Sequence, residues 1–254
     1  MTEPDRSSEL GHGVIVNTGY DHVRTQDPTS NHRRLRIDPH GPFRLDLTAW
    51  ALRRHARNAV DRWDAATYTR VMSLDDGPVA LSVTQAPEPA EPRLSVLLAG
   101  RPIDTPAETL ALSALNRLLG LTVDLSPFAA MAASDPLLGP LAARMRGLRP
   151  PRFPAVFEAL VNGVACQQLS LAVGIQLLNR LAADRGKATP DSPDGPRAFP
   201  DPDDLASLEP TDLKRHGFSS TKARTIIEDR PGGRRRRLDL EALAGTRMAR
   251  RSSA

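Results

Sequence analysis

Two consecutive glutamines, Gln167 and Gln168, stand where an apolar-periodic segment ends and a second one begins, with Ser170 between them and the next apolar residue. Phe153, Val156, Phe157, Leu160, Val161 and Val164 recur at helical spacing, which predicts one α-helix over 154–168 with a buried stripe. Ser170 suits the N-cap of a second helix over 170–185 that carries Leu171, Ile175, Leu177, Leu178 and Leu181, with Gly186 to close it. Solvation of a helix end is the simple use for a glutamine. Two of them at a tight turn between buried helices are an odd choice if packing is their only purpose. The remaining candidates are weaker. His12, His22 and His32 lie ten residues apart, a spacing that matches no familiar metal-ligand pattern, and no metal or cofactor is expected. Asp239 and Glu241 lie on a short amphipathic run near the carboxyl end and read as solvated charges.

The elements that must hold this turn follow from the pattern on either side. Extended pieces over 36–45 and a helix over 48–60 precede β-rich runs at 68–74, 79–85 and 93–98, the first two joined by the hairpin sequence Asp75-Asp76-Gly77-Pro78. This predicts a small antiparallel sheet with one covering helix, and Trp50 and Trp63 are expected in its core. After Pro102 the text turns helical, at 106–119 and 136–146 and then in the long pair around the glutamines. An exposed loop at 187–197 follows. Three short helices come next, the first two capped by Asp201 and by Thr211 and the third starting at Ser220 or Thr221. The expected class is α+β. Its parts are a flexible leader (1–34), an α+β domain (35–101), a mainly helical domain (102–228) and a basic, disordered tail (229–254).

Composition agrees with a protein able to bury a real core, being 40% hydrophobic, with 34 Lys+Arg against 30 Asp+Glu. The excess positive charge collects at the carboxyl end, around Arg234 to Arg237. A single cysteine, Cys166, excludes disulfide frameworks, cysteine-rich zinc sites and four-cysteine iron-sulfur clusters, and points to a reducing cytoplasmic setting. No apolar run is long enough to span a bilayer.

The string Phe157-Glu158-Ala159-Leu160-Val161-Asn162-Gly163-Val164-Ala165-Cys166-Gln167-Gln168-Leu169-Ser170 resembles the F-E-x-L-V-x-x-I-x-x-Q-Q-[IV]-S signature of the DNA-3-methyladenine glycosylase II family, in the helix-hairpin-helix DNA glycosylase superfamily. Phe199-Pro200-Asp201-Pro202, and Leu213 to Gly217 with Lys222-Ala223, are similar to later family motifs, and Phe43 to Thr48 to its amino-terminal domain. The resemblance covers roughly 35–228 and implies base-excision repair: hydrolysis of the N-glycosidic bond of alkylated purines, by a monomer acting on double-stranded DNA. It places Gln168 in the gap left by an extruded nucleotide and Gln167 beside the damaged strand. Lys222 and Arg224 would then neutralise phosphates, with Ser170 at the same interface.

The family's catalytic Asp follows a hairpin of the form L-P-G-[IV]-G-x-[WF]-T-A, which Arg230-Pro231-Gly232-Gly233-Arg234 does not match. The helical domain is therefore expected to be incomplete. No catalytic residue can be assigned, and the chain is expected to be truncated or frame-disturbed and impaired in catalysis. The alternatives are a non-catalytic DNA-binding or damage-sensing module and a gene fragment without function.

Overall fold

A computed structural model of the chain describes residues 30–88 and 90–228. Residues 1–29 of the expected leader, with His12 and His22, and Asp239, Glu241 and the basic run at 234–237 lie outside the described residues, and residues 32–34 of that leader lie in a strand instead.

Strands β1 (His32–Ile37), β2 (Arg62–Asp64), β3 (Thr67–Leu74), β4 (Gly77–Gln85) and β5 (Leu94–Ala99) form one antiparallel sheet in the order β1-β5-β4-β3-β2. The alternation of apolar and small polar residues fixes the register. Val79, Leu81 and Val83 on β4 and Leu94, Val96 and Leu98 on β5 point to one face and are buried, whereas their neighbours Ser82, Thr84 and Ser95 are not. Two helices cover the apolar face: α1 (Leu45–Arg53) and α2 (Thr105–Leu119). Helix α2 begins where Asp104 accepts a hydrogen bond from the Ala107 amide and ends at Gly120, whose φ of 61° is left-handed.

A second core is built by helices alone. The pair α5 (Val156–Cys166) and α6 (Leu171–Arg185) buries Phe157, Val161, Ala165, Ile175, Leu178 and Leu181. Against them pack a 3-10 turn at Asp203–Leu205 and helices α7 (Pro210–Arg215) and α8 (Ser220–Glu228). Helices α3 (Ser126–Ala133) and α4 (Leu138–Arg144) lie on each other and leave Phe128, Met131, Leu137 and Leu141 exposed. Among the described residues no helix is long and apolar enough to cross a membrane.

The α+β class and the order of elements agree with the sequence reading, and the differences have local causes. The helix expected over 48–60 stops at Arg53. Asn58 competes for the backbone there: its Nδ2 donates to the Arg53 carbonyl and its Oδ1 accepts from the Val60 and Asp61 amides. Strand β2 was not expected. It is three residues long and turns into β3 through Ala65 and Ala66, both with positive φ, so the usual Asn-Gly cue is missing. Helix α3 was likewise not expected. Trp50 is 66% exposed rather than in the core, because α1 buries Leu45, Thr48, Ala49 and Leu52 and turns Trp50 away. Trp63 does pack on the core. The expected caps also shift. Asp201 turns its carboxylate to Ser73 and Lys187, and α7 is capped by Glu209 and Asp212 in a capping box rather than by Thr211.

The two cores meet at a buried charge. Arg70, on the covered face of β3, is 2% exposed; it donates to Asp61 at 2.7 Å and to Glu158 of α5 at 2.5 Å, and Tyr68 adds a hydrogen bond to Asp61 at 2.7 Å. Burial works against the Arg70 charge, but the two carboxylates outweigh it and hold the guanidinium well above its ordinary range. Two carboxylates share one cation. Burial accordingly pushes the Glu158 carboxyl up, with Arg70 opposing the rise.

Arg70→Met strands two carboxylates in the interior, so a loss of about 3–5 kcal/mol is expected in denaturant unfolding. Glu158→Gln keeps a neutral Asp61–Arg70 pair and should cost nearer ~1 kcal/mol. Because the Glu158 value is raised on folding, its contribution is fully present below the ordinary 4.5 and is lost as pH rises through the raised value. Wild-type stability relative to Glu158→Gln should therefore fall over that rise, and a flat difference would contradict this assignment.

Candidate nucleic-acid interface

Helix α5 ends at Cys166, and the chain reverses into α6 through Gln167, Gln168, Leu169 and Ser170, all four exposed. The Gln167 amide donates to the Gly163 carbonyl at 3.1 Å, the last turn of α5. Ser170 is the N-cap of α6, its hydroxyl accepting from the Val173 amide at 3.4 Å and its carbonyl from the Gly174 amide at 3.0 Å. The two helices approach closely at this end. A Cβ on Gly174 would stand 2.6 Å from Cys166 Sγ and 3.1 Å from its Cα, so only glycine fits.

Gln168 completes the reversal with φ 55°, in the left-handed region that a residue with a Cβ enters at a cost. Its surroundings make that conformation hold. Lys222, two residues into α8, extends its ammonium across the end of α5 and donates to the carbonyls of Ala165 at 3.0 Å and Gln167 at 2.7 Å. Those carbonyls are the negative end of α5, which a cation suits electrostatically as well as by hydrogen bonding. The base of α8 is itself fixed, since Ala223, Ile226 and Ile227 are buried against α5 and its neighbours.

Beside the glutamines, Leu169, Leu171 and Val173 present aliphatic side chains that are each more than two-fifths exposed. The sequence reading named Leu171 with the apolar residues of its helix that prove to be buried. It lies instead in the first turn, beyond the shelter of α5. The apolar stripe expected on α5 divides in the same way: Phe157 and Val161 are buried, and Phe153, Val156, Leu160 and Val164 are only half covered.

Arg224, also on α8, is exposed and has no hydrogen-bond or ionic partner among the described residues. Three of the five residues singled out from the sequence, Gln167, Gln168 and Ser170, thus belong to one turn, Lys222 reaches it from α8, and Arg224 lies two residues beyond Lys222. Arg54 was overlooked. It donates to the Asn162 side chain and stacks 5.5 Å from the Phe153 ring, so it steadies α5 from the sheet side; its own φ of 58° leaves no mark in the sequence.

The turn can insert amides and aliphatic groups into a partner and hydrogen-bond what it meets. It offers no acid. Among the described residues no carboxylate is hydrogen-bonded to Gln167, Gln168 or Lys222, and no cluster of three His, Cys, Asp or Glu side chains stands ready for a metal.

Comparison with known proteins bears on the fold. Residues 34–154 match the family model of the AlkA N-terminal domain. A DNA-3-methyladenine glycosylase of Bacillus subtilis (strain 168) is 32% identical over 127 residues, which are 50% of this chain and 42% of that protein. The chain thus spans less than half the length of that relative. Among solved structures, a 3-methyladenine DNA glycosylase from Archaeoglobus fulgidus superposes with a TM-score of 0.69 at 20% identity, over 82% of this chain and 68% of that one. An 8-oxoguanine glycosylase/lyase of Clostridium acetobutylicum, in complex with double-stranded DNA containing cytosine opposite 8-oxoG, superposes with a TM-score of 0.57 at 14% identity, over 90% and 67% of the two chains. The fold is that of these DNA glycosylases.

The left-handed φ of Gln168 carries a direct consequence for stability. Gln168→Gly removes a penalty of about 1–2 kcal/mol and adds about 0.5–1 kcal/mol of glycine entropy, so the variant should unfold at the same or a slightly higher denaturant midpoint. Gln168→Ala, which keeps the Cβ, should gain nothing. A Gly variant that unfolds at a clearly lower midpoint than the Ala variant would mean that the turn is not strained.

Proposed function

We propose that this chain, which carries an AlkA N-terminal domain and the glycosylase fold, acts in DNA base-excision repair as a protein that opens duplex DNA at alkylated bases. The exposed Gln167–Gln168 turn carries the proposal. An enzyme acting on a stacked base must first take it out of the helix, and the vacated space must be filled. Gln168 would enter that space, where its amide can both fill the gap and hydrogen-bond the unpaired base opposite. Gln167 would lie along the damaged strand. Leu169, Leu171 and Val173 are suited to press on the neighbouring bases, since apolar wedges commonly unstack base steps.

Phosphate contacts would come from Arg224 and from the N-terminus of α6 at Ser170, whose first amides point out of the helix. Lys222 joins the interface by way of the turn. In the family this chain resembles, alkylated purines leave readily because they are already cationic, and a carboxylate steadies the oxocarbenium-like sugar. Among the described residues no carboxylate is hydrogen-bonded to the turn that would supply it. The chain as given is therefore proposed to bind and open DNA while cutting the sugar-base bond poorly.

Two measurements test this. Binding to a duplex with an abasic site should exceed binding to intact duplex by about tenfold or more and weaken steeply with salt, with Arg224→Ala lowering the slope of log K against log salt by about 0.9. Equal affinity for the two duplexes would count against the wedge. In a base-release assay on methylated DNA, little or no 3-methyladenine should appear. Release at the rate of the full-length Bacillus subtilis relative, run alongside, would overturn the impaired chemistry and leave the DNA reading intact.

A further inference from the structure

We infer that Lys222 is a positioning residue: its ammonium latches the end of α5 and holds Gln167 and Gln168 in the conformation that meets DNA, and it does not bind a phosphate. The inference rests on the DNA-opening role proposed above. Its basis is geometric. An ammonium has three donors, and two are spent on the Ala165 and Gln167 carbonyls at 3.0 and 2.7 Å.

The second of those bonds falls on the residue immediately before the strained one. The peptide carrying the Gln167 carbonyl is the peptide whose nitrogen belongs to Gln168, so fixing that oxygen fixes the plane from which the φ of 55° is measured. Without the latch, rotation of that peptide would let Gln168 relax to negative φ. Both glutamine side chains would then swing away from their present directions. No other side chain donates to the Gln167 carbonyl among the described residues.

The partners of the latch are rigid. Phe157, Val161 and Ala165 anchor α5, and Ala223 and Ile226 anchor α8, on the same apolar core. The Lys222 stem therefore spans two anchored helices and closes on the turn that follows α5. Arg224, on the same helix and with no partner among the described residues, supplies the contrast, because a cation that meets a phosphate should be available to do so.

The full chain and the variants Lys222→Met, Lys222→Arg and Arg224→Ala separate the two roles. For Lys222→Met, binding to abasic-site duplex should fall by about tenfold and binding to intact duplex by less than about twofold, with the salt slope unchanged. Hydrogen exchange in the segment 165–171 should quicken by about tenfold while exchange elsewhere keeps its rate. Lys222→Arg, which can still reach carbonyl oxygens, should retain most of both properties.

The inference is overturned if Lys222→Met weakens both duplexes equally with the slope falling by about 0.9, the behaviour of a phosphate contact. It is also overturned if exchange in 165–171 is unaltered. Should the wild-type chain show no preference for abasic DNA, the DNA-opening role fails, and the exchange measurement alone decides whether the latch exists. A Lys222→Met chain that unfolds throughout, with exchange raised everywhere, would show a general structural role instead.

Discussion

A guanidinium with almost no access to water has to be paired, and in this fold that requirement sets where α5 can sit. Arg70 reaches out of the sheet core, Asp61 meets it from the loop before β2, and Glu158 meets it from the first turn of α5. Apolar packing alone tolerates a helix sliding by a few ångströms, because leucine against valine is almost as good one turn along. A carboxylate bonded at 2.5 Å is not so tolerant: a shift of one turn moves it by about 5.4 Å and leaves the cation unpaired. Glu158 thereby fixes the axial position of α5 on the sheet. Ten residues on, about 15 Å along the axis, the same helix delivers the glutamine turn. The placement of the turn is thus decided at the opposite end of the helix that carries it.

Sequence patterns conveyed this arrangement unevenly. Strands β3, β4 and β5 and helices α2, α5 and α6 follow from periodicity because each buries one continuous face in one of two cores. The elements that escaped, β2 and α3, bury little and are set by neighbours. The Ala65-Ala66 reversal is held by strand pairing against β3, and α3 buries only Ala132. Helix α1 was drawn too long because residues 54–60 include good helix formers, and only the side chain of Asn58, folded back on the backbone, shows otherwise.

The turn itself could be found because two glutamines and a capping serine are conspicuous beside apolar helices. Its conformation could not. Whether Gln168 takes a left-handed φ depends on Lys222, more than fifty residues later, and on the close approach of Gly174 to Cys166. Such long-range causes leave residue types in the sequence but not their pairing. The same holds for Lys222, which reads as a surface cation and proves to be hydrogen-bonded to the end of α5.

This distinction changes how the charge of the helical core should be counted. From composition, every Lys and Arg near the turn is a candidate for phosphate. In the fold, Lys222 is spent on two carbonyls, Arg180 donates to the carbonyl of His216, and Arg54 is turned inward to Asn162, which leaves Arg224 as the cation of this group with no partner among the described residues. Each phosphate neutralised contributes affinity regardless of base or damage. In the proposed role, the preference for opened DNA would come from what the turn does once the helix is open. Rigidity then matters more than charge. In the proposed role, a wedge that is already held in one shape would lose less freedom on binding, and the buried pair at Glu158 and the latch at Lys222 would supply that rigidity from the two ends of one helix.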